Sequence, residues 1–252
     1  MAGHSKWANI RHRKAAQDAK KGKVFNRLIR ELTIAARQGG PAPEDNPRLR
    51  AAVEKALSSN MTRDVINRAI ERGAGNAESD STEELVYEGY GPDGVAVLVE
   101  CMTDNRNRTV SEVRNAFNKH GGNLGTSGSV AFLFHKQGRI TLAPGPSEER
   151  VMEATLEAGP EEIEHLEGGA LEVVTTPERF GPVRDALSEA GLSVTRSEVG
   201  MFPEALAVVA DSERARSVMA LFDRLEELDD VQNVYSNVDF DDAVLERMEA
   251  TS

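Results

Sequence analysis

Hydrophobic positions between residues 23 and 73 recur at helical spacing in three separate runs. The first run stops at Gly-Gly-Pro (residues 39–41), the second opens at Asn46-Pro47, and the third follows Thr62 and closes at Gly73. Asn, Thr and Pro favour the start of a helix, whereas Gly and a following Pro favour its end. The pattern therefore predicts three short-linked amphipathic helices that form a small bundle.

Beyond residue 85 the hydrophobic period changes to that of strands. Two strand-like segments, 86–90 and 95–99, flank Gly-Pro-Asp-Gly and predict a hairpin. The run from Thr109 to Glu112 has the form of a capping box, which predicts a helix that begins there. Residues 130–134 then predict another strand. The acidic segment 76–84 that precedes the hairpin reads as a linker.

Residues 138–200 alternate in the order βαββαβ, which is typical of a ferredoxin-like sandwich. A later strand, helix and strand at 205–209, 212–225 and 231–238 complete a second such set with residues 95–134. The predicted fold class is α+β and multidomain, with an N-terminal three-helix domain followed by two ferredoxin-like α/β domains, one inserted in the other. The expected boundaries are 1–75 for the basic arm and bundle, 76–137 plus 201–252 for the split domain, and 138–200 for the inserted domain.

Charge divides the chain unevenly. Residues 1–75 carry a net charge of +9, whereas residues 76–252 carry −21. The segment from 6 to 23 contains seven Lys or Arg residues and one acid, with little apolar periodicity. Such asymmetry predicts a polyanionic partner for the basic part, although small helical domains also place Lys and Arg on solvated faces. The acidic remainder would stay away from a nucleic-acid backbone or meet basic proteins such as those of the ribosome.

The basic arm and first helix supply cations that can neutralise phosphates and release their counterions. Trp7 could stack on an exposed base or fix the arm to the bundle. The candidate nucleic-acid-binding residues of this region are Lys6, Trp7, Arg11, Arg13, Lys14, Lys20, Lys21, Lys23, Arg27 and Arg30.

Two further motifs lie in the split domain. Arg106 and Arg108 precede the predicted helix start at Thr109, where a bound phosphate would offset the helix dipole; Asp104 or another acid of the domain could satisfy them instead. The segment 121–129 contains four glycines but matches neither a phosphate-binding nor a dinucleotide-binding motif. It is either a flexible connector or a close approach to a ligand.

Composition and motifs argue against several other classes. The five histidines and the single cysteine, Cys101, form no metal-ligand pattern, and no nucleophile motif is present. We therefore expect no catalytic residues, metal, cofactor or small-molecule substrate. The sequence contains neither a membrane-spanning run nor a signal-peptide pattern, and one cysteine suits a reducing compartment. A cytoplasmic location without a membrane partner is expected.

Four separated motifs resemble the YebC/PmpR family, which includes a mitochondrial translational activator. They are MAGHSKWANIRHRK, YEGYGP, TDNRNRT and HGGNLGTSGSVAF, and the later segment DDVQNVYSN extends the likeness. The resemblance implies a cytoplasmic three-domain protein that binds nucleic acid without catalysis. DNA-binding transcriptional regulation is the function most often implied. The alternative is a translation factor that binds ribosomal or transfer RNA and relieves ribosomes stalled at proline-rich sequences. No predicted helix has a clear base-reading face, so we expect weak sequence preference on DNA.

Overall fold

The computed structural model describes residues 21–75, 82–241, 243–244 and 247. The first unit is a helical bundle made of α1 (Lys21–Gly39), α2 (Pro47–Ser58) and α3 (Arg63–Ala74). Asn46 caps α2, since its side-chain oxygen accepts a hydrogen bond from Leu49 N and its amide donates to the Ala35 carbonyl. One side chain thus starts α2 and ties it to α1, as the Asn-Pro pattern predicts.

Small residues bring α1 and α3 close together within the bundle. Gly73 lies against the backbone of Thr33, and a Cβ atom at this position would collide with the Thr33 carbonyl oxygen. The Thr33 hydroxyl lies 3.2 Å from the Ala69 carbonyl oxygen across the same contact. The buried core is contributed by all three helices, and its largest members are Leu32 and Leu49.

The second unit contains a four-stranded antiparallel sheet in the order β3-β1-β2-β9. Its strands are β1 (Glu83–Tyr90), β2 (Ala96–Thr103), β3 (Asn123–Leu124) and β9 (Val231–Ser236). The helices α4 (Arg106–Lys119) and α7 (Ser212–Glu227) cover one face. The predicted hairpin is present as β1 and β2, and Asp93 and Gly94 in its turn have positive φ values of 57° and 72°.

The third unit contains a second four-stranded antiparallel sheet, in the order β5-β6-β4-β7. Its elements in chain order are β4 (Phe134–Leu142), α5 (Glu148–Thr155), β5 (Glu162–His165), β6 (Leu171–Thr175), α6 (Phe180–Glu189) and β7 (Val194–Pro203). This βαββαβ order with its two central strands is the ferredoxin-like arrangement. Because the unit lies in the chain between strands of the other sheet, one α/β domain is inserted in the other. The predicted fold class is confirmed.

Several element predictions were wrong in detail. Residues 131–133 form a short 3₁₀ helix, and Phe134 begins β4, so the separate strand predicted at 130–134 does not exist. The strands of the inserted sheet therefore extend to Phe134 and Pro203. The chain segment β8 (Ala207–Val209) lies outside the first sheet and pairs in parallel with β10 (Val238–Phe240). The predicted linker is shorter too, because Glu83 and Glu84 belong to β1; residues 76–81 lie outside the described part.

The two α/β domains meet across the back of the first sheet. Ala96 and Leu98 of β2 face Val130, Phe134 and Met201, and this small apolar cluster is separate from the core under α4 and α7. Successive residues of a strand point to opposite faces, so β2 contributes to both clusters. The burial of both faces explains why the first half of β2, from Ala96 to Val99, is entirely apolar.

Candidate nucleic-acid interface

The predicted interface falls on two parts of the chain. Lys6, Trp7, Arg11, Arg13, Lys14 and Lys20 lie outside the described residues, and the description of Lys21 is limited to its place at the start of α1. Lys23, Arg27, Arg30, Arg106 and Arg108 are described with their side chains.

Three cations of α1 bind carbonyl groups at the end of α7 and in the segment that follows it. Lys23 donates a hydrogen bond to the Glu227 carbonyl oxygen, Arg27 to that of Glu226, and Arg30 to that of Asp229. The last carbonyl groups of a helix have no intrahelical partner and carry partial negative charge. Lys23 and Arg27 thus cap α7, Arg30 binds the segment after it, and together they hold the bundle against the split domain.

Asp230 is the centre of the same contact. Its side chain is 2% exposed, and Oδ1 lies 3.3 Å from Arg30 Nη2 of the bundle. Its Oδ2 accepts hydrogen bonds from Arg108 at 2.8 Å and Thr103 at 3.1 Å, and lies 2.8 Å from the Thr109 hydroxyl. Burial raises the pKa of Asp230, but the hydrogen bonds and the charge of Arg108 outweigh it and hold the pKa below its ordinary value.

Arg106 and Arg108 differ in their surroundings. The helix that they were expected to precede begins at Arg106, because Asn105 is the N-cap and accepts a hydrogen bond from Arg108 N. The capping box predicted at Thr109 was wrong, since the Thr109 hydroxyl instead joins Thr103 and Asp230. Arg108 pairs with Asp104 and Asp230, and these hydrogen bonds raise its pKa. Arg106 is exposed and forms no ion pair with a residue of the described ranges.

The glycine-rich segment 121–129 ends beside an internal anion. The buried carboxylate of Glu88 accepts hydrogen bonds from the backbone N–H groups of Gly128, Val130 and Ala131, at 2.7–2.8 Å. Burial raises the pKa of Glu88, but these three donors outweigh it and lower the pKa below its ordinary value. The N–H group of Gly128, the donor that belongs to the segment, is therefore occupied by the protein's own carboxylate, which fits the connector interpretation better than a close approach to a ligand.

A second ion-pair cluster joins the bundle to the split domain. Arg48 of α2 binds Glu31 of α1 at 2.7 Å and Glu84 of β1 at 2.5 Å. Gln38 also donates to Glu84, at 2.7 Å. This contact could not be predicted from local patterns, because Glu31 and Glu84 lie 17 and 36 positions from Arg48 and follow no helical or strand period.

The cations of the described region divide into two groups. Lys23, Arg27, Arg30, Arg48 and Arg108 have internal partners, whereas Arg106 and the exposed residues Arg63, Arg68 and Arg72 of α3 form no ion pair with any described residue.

In the described part of the chain, no helix is long and apolar enough to cross a membrane. Nor do the described His, Cys, Asp and Glu residues form a group of three that could hold a metal ion.

A three-helix bundle followed by a split and an inserted α/β domain defines a three-domain α+β protein. The chain belongs to the TACO1/YebC family, as the YebC resemblance predicted. The family's N-terminal domain matches residues 5–76, and its second and third domains match residues 82–238.

Relatives of the chain cover nearly all of it. A protein of Chromohalobacter salexigens is 69% identical over 99% of this chain and 100% of its own length, and one of Pseudomonas aeruginosa is 58% identical over 98% and 100%. Both are named "Probable transcriptional regulatory protein". The crystal structure of a conserved hypothetical protein, Aq1575 from Aquifex aeolicus, is similar with a TM-score of 0.77 and 45% identity, over 89% of this chain and 93% of that one.

Proposed function

We propose that this protein is a non-enzymatic, nucleic-acid-binding regulator of gene expression, and more specifically a DNA-binding regulator of transcription that acts in the cytoplasm. The observation that carries the proposal is the coincidence of the basic part of the chain with one domain. Residues 1–75 carry a net charge of +9 and correspond to the family's N-terminal domain, whereas the rest of the chain carries −21. The names of the relatives support transcription as the process.

The proposed contact is made by the N-terminal segment together with the exposed side of α3, which carries Arg63, Arg68 and Arg72. Lys6, Arg11, Arg13 and Lys14 supply phosphate contacts, and Trp7 supplies a stacking surface. Lys23, Arg27 and Arg30 already donate hydrogen bonds to carbonyl groups at and just after the end of α7. We assign these three cations a second role, which is to orient the basic domain relative to the two acidic α/β domains. Net negative charge on the other two domains keeps them away from the DNA backbone.

The test is binding of the full chain to a labelled 20-base-pair duplex, measured by fluorescence anisotropy at several salt concentrations. If about six phosphate contacts form, the logarithm of the affinity falls with the logarithm of salt with a slope of about −5. Replacing Lys6, Arg11, Arg13 and Lys14 with Gln should make that slope smaller by about 3.6. The matched control replaces four exposed cations of the α/β domains with Gln, at Arg114, Lys136, Arg179 and Arg216, and should leave the slope nearly unchanged.

Selection of duplexes from a random library then tests the assignment to transcription. A regulator of specific promoters binds its site at least about a thousandfold more tightly than random duplex. Equal affinity for all duplexes, together with salt-sensitive sedimentation with ribosomes, would contradict the transcriptional assignment. Loss of binding in the control variant to the same extent as in the N-terminal variant would contradict the proposed location of the contact.

A further inference from the structure

Two of the cations without an internal partner in the described residues lie on one side of α3. Residues 21–75 have a net charge of +5, yet Lys23, Arg27, Arg30 and Arg48 are held by acceptors of the protein. A polyanion that binds this domain must therefore use other cations. Arg68 and Arg72 are both exposed, and the side chain of neither forms an ion pair or a hydrogen bond with a residue in the described ranges.

The spacing of these two arginines favours a shared anion. Residues four apart on a helix are neighbours on its surface, with Cβ atoms about 5–6 Å apart, and two like charges so placed repel each other. The acids of the same helix, Asp64 and Glu71, approach neither arginine closely enough for an ion pair. The position of Arg72 in the last turn suits the helix dipole, but this explanation does not extend to Arg68. A phosphate between the two guanidinium groups would relieve the repulsion.

A small apolar cleft lies directly beside the arginine pair. It has a volume of about 180 Å³ and is lined by Ile29 of α1 and by Val65, Arg68, Ala69 and Arg72 of α3. Ile29 and Val65 are half-buried, so the floor of the cleft is apolar and reaches solvent. Drug-sized ligands usually occupy about 300 Å³ or more, whereas a single flat ring system needs less space. An apolar floor with two cations on its rim matches the chemistry of one nucleotide.

We propose that the cleft between α1 and α3 binds one nucleotide of single-stranded DNA, with its phosphate held by Arg68 and Arg72 and its unpaired base against Ile29 and Val65. The inference rests on the proposed function and makes it more specific, because it requires a base that is not paired. In a duplex the base is stacked and cannot enter the cleft. The protein thus prefers melted or single-stranded DNA to intact duplex.

Binding of the full chain to three labelled 12-nucleotide probes tests the inference: a mixed-sequence single strand, its duplex, and an abasic strand of equal length. The parent protein should bind the single strand most tightly, about five- to 150-fold above the abasic strand if one base is stacked. Arg68→Ala with Arg72→Ala should weaken single-strand binding at least about tenfold and make the salt slope smaller by about 0.7, since the pair holds one phosphate and each phosphate contact on a single strand contributes about 0.7. Val65→Gln should abolish the preference over the abasic strand.

The matched control is Lys55→Ala with Arg63→Ala, which removes two other exposed cations from the bundle. It should change single-strand affinity less than about threefold, and melting curves of all variants establish that they fold. Equal loss in the control and in the Arg68/Arg72 variant would overturn the inference, as would equal binding of the parent to the single strand, the duplex and the abasic strand. A parent protein that binds none of the probes would instead contradict the proposed function.

Discussion

Replacing Asp230 with Asn should destabilise the protein through the contact between the bundle and the split domain. The substitution keeps the shape of the side chain but removes a buried charge that faces Arg30 at 3.3 Å and Arg108 at 2.8 Å. Breaking a buried ion pair by changing one partner costs about 3–5 kcal/mol. The side chains of Arg108 and Arg30 are 44% and 30% exposed, so solvent screening places the expected loss at the lower end, about 3 kcal/mol.

For a chain of this length, 3 kcal/mol corresponds to a decrease in melting temperature of about 6–12 °C. The measurement is calorimetric or circular-dichroism melting at pH 7, with Asp229→Asn as the matched control. Asp229 is exposed, and it is its backbone carbonyl rather than its side chain that binds Arg30. The control therefore removes the same charge one residue away, and its stability should stay within about 0.5 kcal/mol of the parent.

The pH dependence gives a second check on the same reasoning. The pKa of Asp230 is lowered in the folded protein, so its contribution to stability is present above the ordinary pKa of an aspartate, about 3.9. As the pH falls below about 4 towards the lowered folded-state pKa, the parent loses this contribution and the difference between parent and Asp230→Asn becomes smaller. A variant that melts within about 2 °C of the parent at pH 7 would refute the role assigned to Asp230.

Three further predictions concern other contacts. Glu88→Gln should lower the free energy of unfolding by about 2 kcal/mol, because a charged acceptor of three backbone N–H groups is lost. Hydrogen exchange should become faster in the glycine-rich segment 121–129. Unchanged exchange there would contradict the role assigned to Glu88. Gly73→Ala should cost about 1–3 kcal/mol in urea unfolding, because the added methyl group meets the backbone of α1. Gly22→Ala, with open space around it, should be neutral or stabilising by up to about 1 kcal/mol, and equal losses in the two variants would disprove the steric explanation. Burial, with the charges of Asp230 and Glu100, raises the pKa of Cys101 to about 12. The Cys101 thiol should therefore react with a disulfide reagent at pH 8 only after the protein unfolds. Rapid labelling of the native protein would contradict this prediction.

The local signals of the sequence predicted most of the elements. Asn46-Pro47 marked the start of α2, the Pro-Asp-Gly turn marked the hairpin, and the βαββαβ order of the inserted domain matched its sheet. The start of α4 was misplaced because two residues could act as the cap. Asn105 caps the helix by accepting a hydrogen bond from Arg108 N. The hydroxyl of Thr109 forms a hydrogen bond with Asp230, which lies 121 residues away in the chain.

The candidate site was harder to predict for the same physical reason. Cations of an amphipathic helix look alike in a sequence, whether they face solvent or an acceptor from a distant part of the chain. Lys23 and Arg30 meet carbonyl groups about 200 residues away, and no local pattern indicates such a partner. Arg68 and Arg72 carried no signal of their own, because their significance depends on Ile29 of another helix and on the absence of an ion pair with the described residues. Charge asymmetry identified the domain, but only packing separates its internal cations from its available ones.

The chain enters and leaves the inserted domain at neighbouring positions. Phe134 and Pro203 are opposite each other in neighbouring strands, and the N–H group of Glu204 donates a hydrogen bond to the carbonyl of Leu133 at 2.9 Å. Excision of the whole insertion would therefore leave two chain ends that a short turn can rejoin without rerouting the host. Its removal would expose Ala96, Leu98 and Val130 on the back of the first sheet and would remove the ion pair between Arg184 of the insertion and Glu54 of α2.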